Sequence, residues 1–114
     1  MIAVLFEVWP VPEYKQAYLD EAARMRKLVE QVNGFISVER FESLYEPGKI
    51  LSLSIFENED AVKAWRNIPA HREAQALGRQ QYFADYRLRI AQVQRDYGMK
   101  ERLQAPGDSK DIHG

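Results

Sequence analysis

The sequence predicts an α+β fold in which four strands and two helical regions follow in the order strand, helix, strand, strand, helix, strand. Apolar residues alternate along four short segments, as they do in strands of a sheet. Two longer segments instead repeat apolar residues every three to four positions, as amphipathic helices do. With 114 residues, of which 46% are hydrophobic, the chain is long enough for one compact domain and too short for two.

The first predicted strand covers residues 2–9, IAVLFEVW. Both of its alternating sets of side chains are largely apolar, so we expect a central strand that is covered on both faces. Glu7 is the exception. An acidic side chain in such a strand should be paired, have a shifted pKa or lie at a cavity, although a solvated rim explains it equally well.

A long amphipathic helix is predicted next, from about Glu13 to Val32. It follows two prolines, which end the first strand, and its apolar residues recur at helical spacing. The pair Asn33-Gly34 is typical of a helix end.

Two further strands are predicted at residues 35–44 and 50–56. Between them lies the stretch Glu46-Pro47-Gly48-Lys49, in which proline and then glycine occupy the two central positions. This order is typical of a type II turn. The two strands should therefore form a hairpin.

The second helical region is interrupted by a proline. Asn58 is a good N-cap for a first helix. Pro69 must end or kink that helix, and proline is well tolerated in the first turn of a new one. We therefore expect two short helices, the second ending near Gly78 in the left-handed conformation that glycine favours. Trp65 and His71 lie on either side of the break, where their side chains can converge on one cavity.

The fourth strand is predicted within residues 80–94, where apolar and polar residues alternate again. From about Tyr97 the sequence loses this periodicity and gains proline, glycine and charge. Residues 1–96 are therefore predicted to form the domain, and residues 97–114 a mobile polar tail.

This order of elements is that of a ferredoxin-like βαββαβ domain, a four-stranded antiparallel sheet with its helices on one face. Because the first strand is apolar on both sides, the other face would be a larger apolar patch than soluble monomers usually expose. We therefore expect a homodimer in which two sheets pack face to face and close a dimeric α+β barrel.

Composition excludes several classes of function. The 16 basic and 17 acidic residues give a formal net charge of −1 without a long basic run, which argues against a nucleic-acid partner. No cysteine is present, and no histidine pair has metal-ligand spacing, so neither a disulfide nor a metal site is indicated. No apolar run is long enough to span a bilayer, and no basic leader precedes an apolar segment. We expect a cytoplasmic protein that does not enter a membrane.

Taken together, these stretches resemble the antibiotic biosynthesis monooxygenase family of the dimeric α+β barrel superfamily. The resemblance rests on the opening strand, the Asn33-Gly34-Phe35 junction and, above all, the stretch FENEDAVKAWRNIPAHREAQ. It covers roughly residues 1–95. It implies the fold described above but leaves the activity open, because the superfamily includes cofactor-free oxygenases of polyphenols and quinols, haem-degrading enzymes and proteins with no known reaction.

For the oxygenase members, the resemblance implies a small substrate held between the helices and the sheet, with the region from Trp65 to His71 lining that space. In such enzymes the deprotonated substrate reduces dioxygen directly, so the protein supplies a base, a polar anchor and a dry pocket. His71 is then the candidate base, since it is the one side chain of the folded region that titrates near neutral pH. The alternative is that it caps the helix start or forms a hydrogen bond there. Trp65 is expected to form a pocket wall.

Further residues are predicted to bind the substrate. Arg79, Tyr82 and Tyr86 could orient an oxyanion or a phenol, and the alternative for each is a surface role. Trp9 and Phe83 would help Trp65 and Tyr82 to enclose the substrate, and Glu7 would lie at the same cavity. The resulting hypothesis is a monooxygenase that needs no cofactor and acts on a small quinol- or anthrone-like aromatic.

Two other classes remain. A haem-degrading enzyme is one, because the stretch around Trp65 is similar to that branch too. In that branch, however, the histidine that binds haem lies about one turn beyond His71, and the matching place here is near Gln75, which is no ordinary axial ligand. An asparagine of its first strand has no counterpart either. The other class is a dimer that binds a small ligand without turning it over.

Overall fold

The structure, a computed structural model, describes residues 1–114 and confirms the predicted order of elements. A short 3₁₀ turn precedes the first helix, and the second helical region is divided into two. The elements are β1 (Ile2–Pro10), α1 (Lys15–Val29), β2 (Phe35–Glu42), β3 (Ile50–Phe56), α2 (Glu59–Arg66), α3 (Pro69–Leu77), β4 (Phe83–Gln92) and α4 (Gly107–His113).

The four strands form one antiparallel sheet in the order β2-β3-β1-β4. β1 is central, as predicted, with Val4 opposite Ser54 of β3 and Ile90 of β4. All three side chains line the space beneath the helices. Leu5, which follows Val4, lies on the other face of the sheet. The ferredoxin-like α+β fold is therefore confirmed.

The core lies between the helices and the sheet. It consists of two clusters of buried side chains, one around Phe56, which is fully buried, and one around Val8, which is also fully buried. Burying a phenylalanine side chain contributes about 1.5–3 kcal/mol to folding. The two clusters fix the helices on the sheet at either end and leave space between them.

Apolar side chains also cover much of the opposite sheet face. Leu5 and Leu51 are only half-buried there, and Phe41 is 43% exposed. At the tip of the β2–β3 hairpin, Leu44 and Tyr45 are 96% and 98% exposed. A second copy of the chain would cover such a face. The homodimer stays a prediction, and this outer sheet face is the surface through which it is expected to form.

Local signals of the sequence place most of the turns correctly. Gly34 and Gly48 both adopt positive φ, 92° and 90°. The Lys49 N–H donates to the Glu46 carbonyl oxygen at 3.1 Å, as the predicted type II turn requires. The predicted helix end is three residues too late, because α1 ends at Val29, and residues 30–34, which include Gly34, form the turn into β2.

The prediction that Gly78 closes α3 in the left-handed conformation was wrong. Gly78 has φ −58° and ψ −48°, and the chain continues from it into a π-helical turn, Gly78–Tyr82. A glycine is needed here because there is no room for a side chain, and not because the backbone conformation requires it. A Cβ at this position would lie less than 3.0 Å from three ring atoms of Phe83, so a side chain here would displace that ring.

The last 18 residues contain a short helix that the sequence did not predict. α4 is held by Arg102, whose guanidinium donates from Nε to the Gly114 carbonyl oxygen at 2.8 Å and from Nη2 to the Ser109 hydroxyl at 2.6 Å. Ala105, just before the helix, is buried. Whether this segment is mobile stays a prediction.

No helix of the chain is both long enough and apolar enough to cross a bilayer.

Candidate active site

A cavity of about 260 Å³ lies between the three helices α1, α2 and α3 and the sheet. Of its 22 lining residues, 14 are hydrophobic, so the space favours an apolar ligand. Val4 and Phe6 line it from the central strand. Along β4 it is open, because Leu88 and Ile90 line it and are each 47% exposed. Its size is close to the lower end of small-molecule sites, which begin at roughly 300 Å³.

The break between α2 and α3 brings Trp65 and His71 together, as predicted. The Asn58 side chain caps α2 by accepting a hydrogen bond from the Ala61 N–H at 2.9 Å. Ile68 is extended, and Pro69 begins the next helix. The two rings consequently stack with their centroids 4.3 Å apart and an angle of 32° between their planes, and both line the cavity.

The imidazole of His71 has a nitrogen that nothing in the chain engages. Its Nδ1 is buried and has no hydrogen-bond partner, and the side chain does not cap α3. Burial lowers the pKa of His71 below its usual value of 6.5 because it disfavours the charged ring, and the positive charge of Arg72 adds to this. A hydrogen bond to the Arg66 backbone carbonyl raises the pKa to a smaller extent, so the alternative of a hydrogen bond at the helix break holds for this ring as well. The ring is therefore neutral near pH 7 and able to accept a proton.

Arg40 is a second polar group at the cavity that the sequence did not identify. It extends from β2 opposite Ser52 of β3, and both residues line the cavity. Its Nε is buried without a hydrogen-bond partner. The hydroxyl oxygen of the buried Tyr18 accepts a hydrogen bond from the Arg40 side chain. The pKa of Tyr18 is nevertheless raised, because burial outweighs the charge and the hydrogen bond of the guanidinium. The signal in the sequence was a charged residue two positions after Val38, hence on the inner face of the same strand.

Two of the predicted substrate-binding residues line the cavity and two lie beside it. Tyr82 and Phe83 are part of its wall. Tyr86 does not line it but packs against the Phe83 ring, with 5.9 Å between the centroids. Arg79 is exposed, and its guanidinium lies 5.9 Å from the centre of the Tyr86 ring. Arg79 therefore supports the wall from outside.

The structure does not bring Glu7 and Trp9 to the cavity, which corrects their grouping with Trp65. Glu7 lies on the opposite face of the sheet, in ion pairs with Lys49 at 2.6 Å and with Arg89. Both partners lower the pKa of Glu7, and the hydrogen bond with Lys49 has the largest effect. The Trp9 Nε1 donates to Glu46, and the Lys49 amine lies 4.9 Å from the centre of the Trp9 ring. Of the alternatives for Glu7, pairing is confirmed.

Comparison with known proteins gives a consistent family assignment. The family model described as antibiotic biosynthesis monooxygenase matches residues 1–77. A protein of Pyricularia oryzae named jasmonate monooxygenase ABM is 41% identical over 93 residues, which are 82% of this chain and 43% of that protein. The uncharacterized protein YqjZ of Bacillus subtilis is 30% identical over 83 residues, 73% of this chain and 71% of its own length. The chain thus spans less than half of the Pyricularia relative.

Solved structures share the fold at lower identity. A candidate antibiotic biosynthesis monooxygenase from Deinococcus radiodurans superposes with a TM-score of 0.78 at 14% identity, over 86% of this chain and 97% of that one. Rv0793 from Mycobacterium tuberculosis gives a TM-score of 0.76 at 15% identity, over 85% and 98%. At these identities the likeness shows the fold alone.

Proposed function

The chain belongs to the antibiotic biosynthesis monooxygenase family, and we propose that it oxidises a small electron-rich aromatic, such as a quinol or an anthrone-like phenol, with dioxygen and without a tightly bound cofactor. One observation carries this proposal. The buried Nδ1 of His71 has no partner in the chain, and its ring stacks against Trp65 in an apolar cavity. A neutral imidazole that keeps one ring nitrogen free and lines such a space is suited to take a proton from a bound substrate.

The reaction needs no external reductant for substrates of this kind. His71 accepts the acidic proton, from a phenol or from the methylene group of an anthrone, and leaves an electron-rich anion. From an anthrone, that anion reduces dioxygen so that one oxygen atom forms the new carbonyl and the other leaves as water with the two hydrogens of the methylene group. From a quinol, one oxygen atom enters a ring C–H bond as a hydroxyl group, the quinol becomes a quinone, and the other oxygen atom leaves as water with the two hydroxyl hydrogens of the quinol. In both cases the four electrons gained by dioxygen come from the substrate. The protonated His71 returns its proton as the water forms.

The apolar wall contributes by limiting the contact of a bound anion with water on the sides away from β4. Trp65, Phe6 and Phe83 border the cavity, and in such surroundings a carbanion or radical pair is shielded from protonation by solvent. The aromatic wall also positions a flat substrate beside the imidazole. Trp65→Phe keeps an aromatic surface and should therefore reduce the rate less than the loss of His71.

The test is dioxygen uptake by metal-stripped protein under chelator, with a panel of quinols and anthrones. Jasmonate joins the panel because the Pyricularia relative is named for it. We expect uptake above the spontaneous rate for at least one substrate, and a loss on the order of 10²-fold in His71→Ala, since general base catalysis contributes about that much. His113→Ala is the matched control, because His113 is the only other histidine and is exposed in α4.

Two results would contradict the proposal. One is no uptake above the spontaneous rate across the whole panel. The other is uptake that is unchanged in His71→Ala. Either would move the protein to the class of dimers that bind a ligand without turning it over.

A further inference from the structure

We propose that the cavity selects substrates that carry a carboxylate, and that Arg40 is the residue that binds this group. The inference rests on the proposed function, because it concerns the same cavity, and it narrows the substrate class from small aromatics to small aromatics that carry a carboxylate. Arg40 would be a specificity residue, and His71 the base.

Arg40 is a cation that the chain itself leaves without a counter-ion. The five ion pairs of the structure, each with N···O of at most 4.0 Å, do not include it. Its Nε is out of contact with solvent and donates to no acceptor. Keeping a half-buried cation without a counter-ion is costly, and so is burying an N–H donor that has no acceptor. A ligand that carries an anionic group with acceptor oxygens would supply the counter-ion and the hydrogen-bond acceptors that Arg40 lacks.

The acidic groups around the cavity do not fill this role. Glu21 is the one acidic residue among the lining residues, and it forms its ion pair with Arg24 on the same helix. Tyr18 is held neutral by burial, which raises its pKa. Arg26 and Arg66 line the cavity together with Arg40. Glu21 and Arg26 are each paired with a residue one helical turn away, so Arg40 and Arg66 remain as charges without a counter-ion. They give the lining a net positive charge, which attracts an anion.

The polar groups beside Arg40 suit a carboxylate in particular. A guanidinium presents parallel N–H groups that match the two oxygens of a carboxylate. The hydroxyl of Ser52, which lies opposite Arg40 in the sheet and is buried, is a further donor for them. The rest of the lining is mainly apolar. A ligand with one carboxylate and an otherwise apolar body therefore satisfies both parts of the cavity.

Equilibrium binding tests this without turnover. The probes are 2-naphthoate and its neutral counterpart 2-naphthamide, titrated calorimetrically into the full chain in anaerobic buffer near pH 7.5. The wild-type protein should bind the carboxylate at least about 10-fold more tightly than the amide, the smallest effect expected of a charged hydrogen bond. Arg40→Met should remove this preference, and Arg40→Lys should keep part of it. Arg26→Met is the control, since Arg26 lines the same cavity but is already paired with Glu30.

Thermal unfolding of the ligand-free variants separates a binding role from a structural one. Arg40 has no counter-ion in the chain, and its side chain hydrogen-bonds the Tyr18 hydroxyl. Losing that one hydrogen bond should lower the melting temperature of ligand-free Arg40→Met by no more than about 5 °C, and 2-naphthoate should raise the melting temperature of the wild type but not of Arg40→Met. A larger fall in ligand-free Arg40→Met would mean that the residue holds the fold together, and would overturn the inference.

The other outcomes distinguish the two proposals. Equal binding of both probes, a preference that survives Arg40→Met, or no binding of either probe at millimolar concentration would overturn the inference about Arg40 and leave the oxygen-uptake test unaffected. A carboxylate preference that depends on Arg40 in a protein without oxygen uptake would support the inference and overturn the proposed oxidation alone.

Discussion

Replacing Gly78 by alanine tests how tightly the cavity wall is packed. Two effects compete. Alanine is favoured over glycine within a helical segment by about 1 kcal/mol, whereas inserting a methyl group into a well-packed site costs about 1–3 kcal/mol. The new Cβ would lie less than 3.0 Å from three atoms of the Phe83 ring. The outcome therefore depends on whether that ring can move.

The surroundings of Phe83 indicate that it cannot move cheaply. Its ring packs edge-on against Phe6 and Tyr18, with centroids 5.6 and 5.7 Å apart, and against Tyr86 at 5.9 Å. We therefore take the upper part of the overpacking range and expect Gly78→Ala to lower the free energy of unfolding by about 1–2 kcal/mol. The melting temperature should fall by on the order of 5 °C for each kcal/mol.

The assay is urea and thermal unfolding at one fixed protein concentration, with Gly107→Ala as the control. Gly107 begins α4 with open space around its Cα, so its replacement should change the free energy of unfolding by a few tenths of a kcal/mol at most. A Gly78→Ala protein as stable as the wild type, or more stable, would refute the packing argument, because it would show that helix propensity outweighs the contact with Phe83.

Three further predictions concern assembly, haem and helix capping. Sedimentation should show a homodimer, because the outer sheet face and the hairpin tip expose large apolar side chains; a well-folded monomer at micromolar concentration would argue against it. Hemin should bind weakly or not at all, because Gln75 follows His71 by one turn, and a tight stoichiometric complex whose Soret band is lost in His71→Ala would favour the haem-degrading class instead. Asn58→Ala should lower the free energy of unfolding by about 1 kcal/mol, since its side chain caps α2 through the Ala61 N–H; an unchanged urea midpoint would contradict this.

The order of elements was predictable because its signals are local. Proline and glycine act on their own backbone or on that of their neighbours, so Asn33-Gly34, Pro47-Gly48 and Pro69 marked their turns without knowledge of the fold. The same holds for the pair of Trp65 and His71, because both lie within one turn of a break that Pro69 imposes. Short-range rules were enough to bring these two rings together.

The errors concern long-range contacts. Ile2, Val4 and Phe6 of β1 are no more apolar as a set than Ala3 and Leu5, so periodicity alone did not say which face meets the helices. Glu7 and Trp9 were consequently assigned to the cavity although they lie on the other face.

Arg40 was missed and the role predicted for Gly78 was wrong, and the reasons are related. An irregularity between Phe35 and Ser37 shifts the register of β2, which blurs the alternation that would have placed Arg40 on the inner face. Gly78 is explained by the ring of Phe83, which reaches it only because the π-helical turn brings the chain back to it.

The pH dependence of dioxygen uptake tests most directly the claim that neutral His71 accepts the proton of the substrate. Burial lowers the pKa of His71 below 6.5, so the neutral form persists as the pH falls past that value and is lost only at the lower pKa of the folded protein. For the best substrate of the panel, kcat/KM should therefore hold near neutral pH and decline on the acid side with an apparent pKa below 6.5. His71→Ala should lose this acid limb together with most of the rate. An acid limb that persists unchanged in His71→Ala would contradict the account, because another group would then be the base.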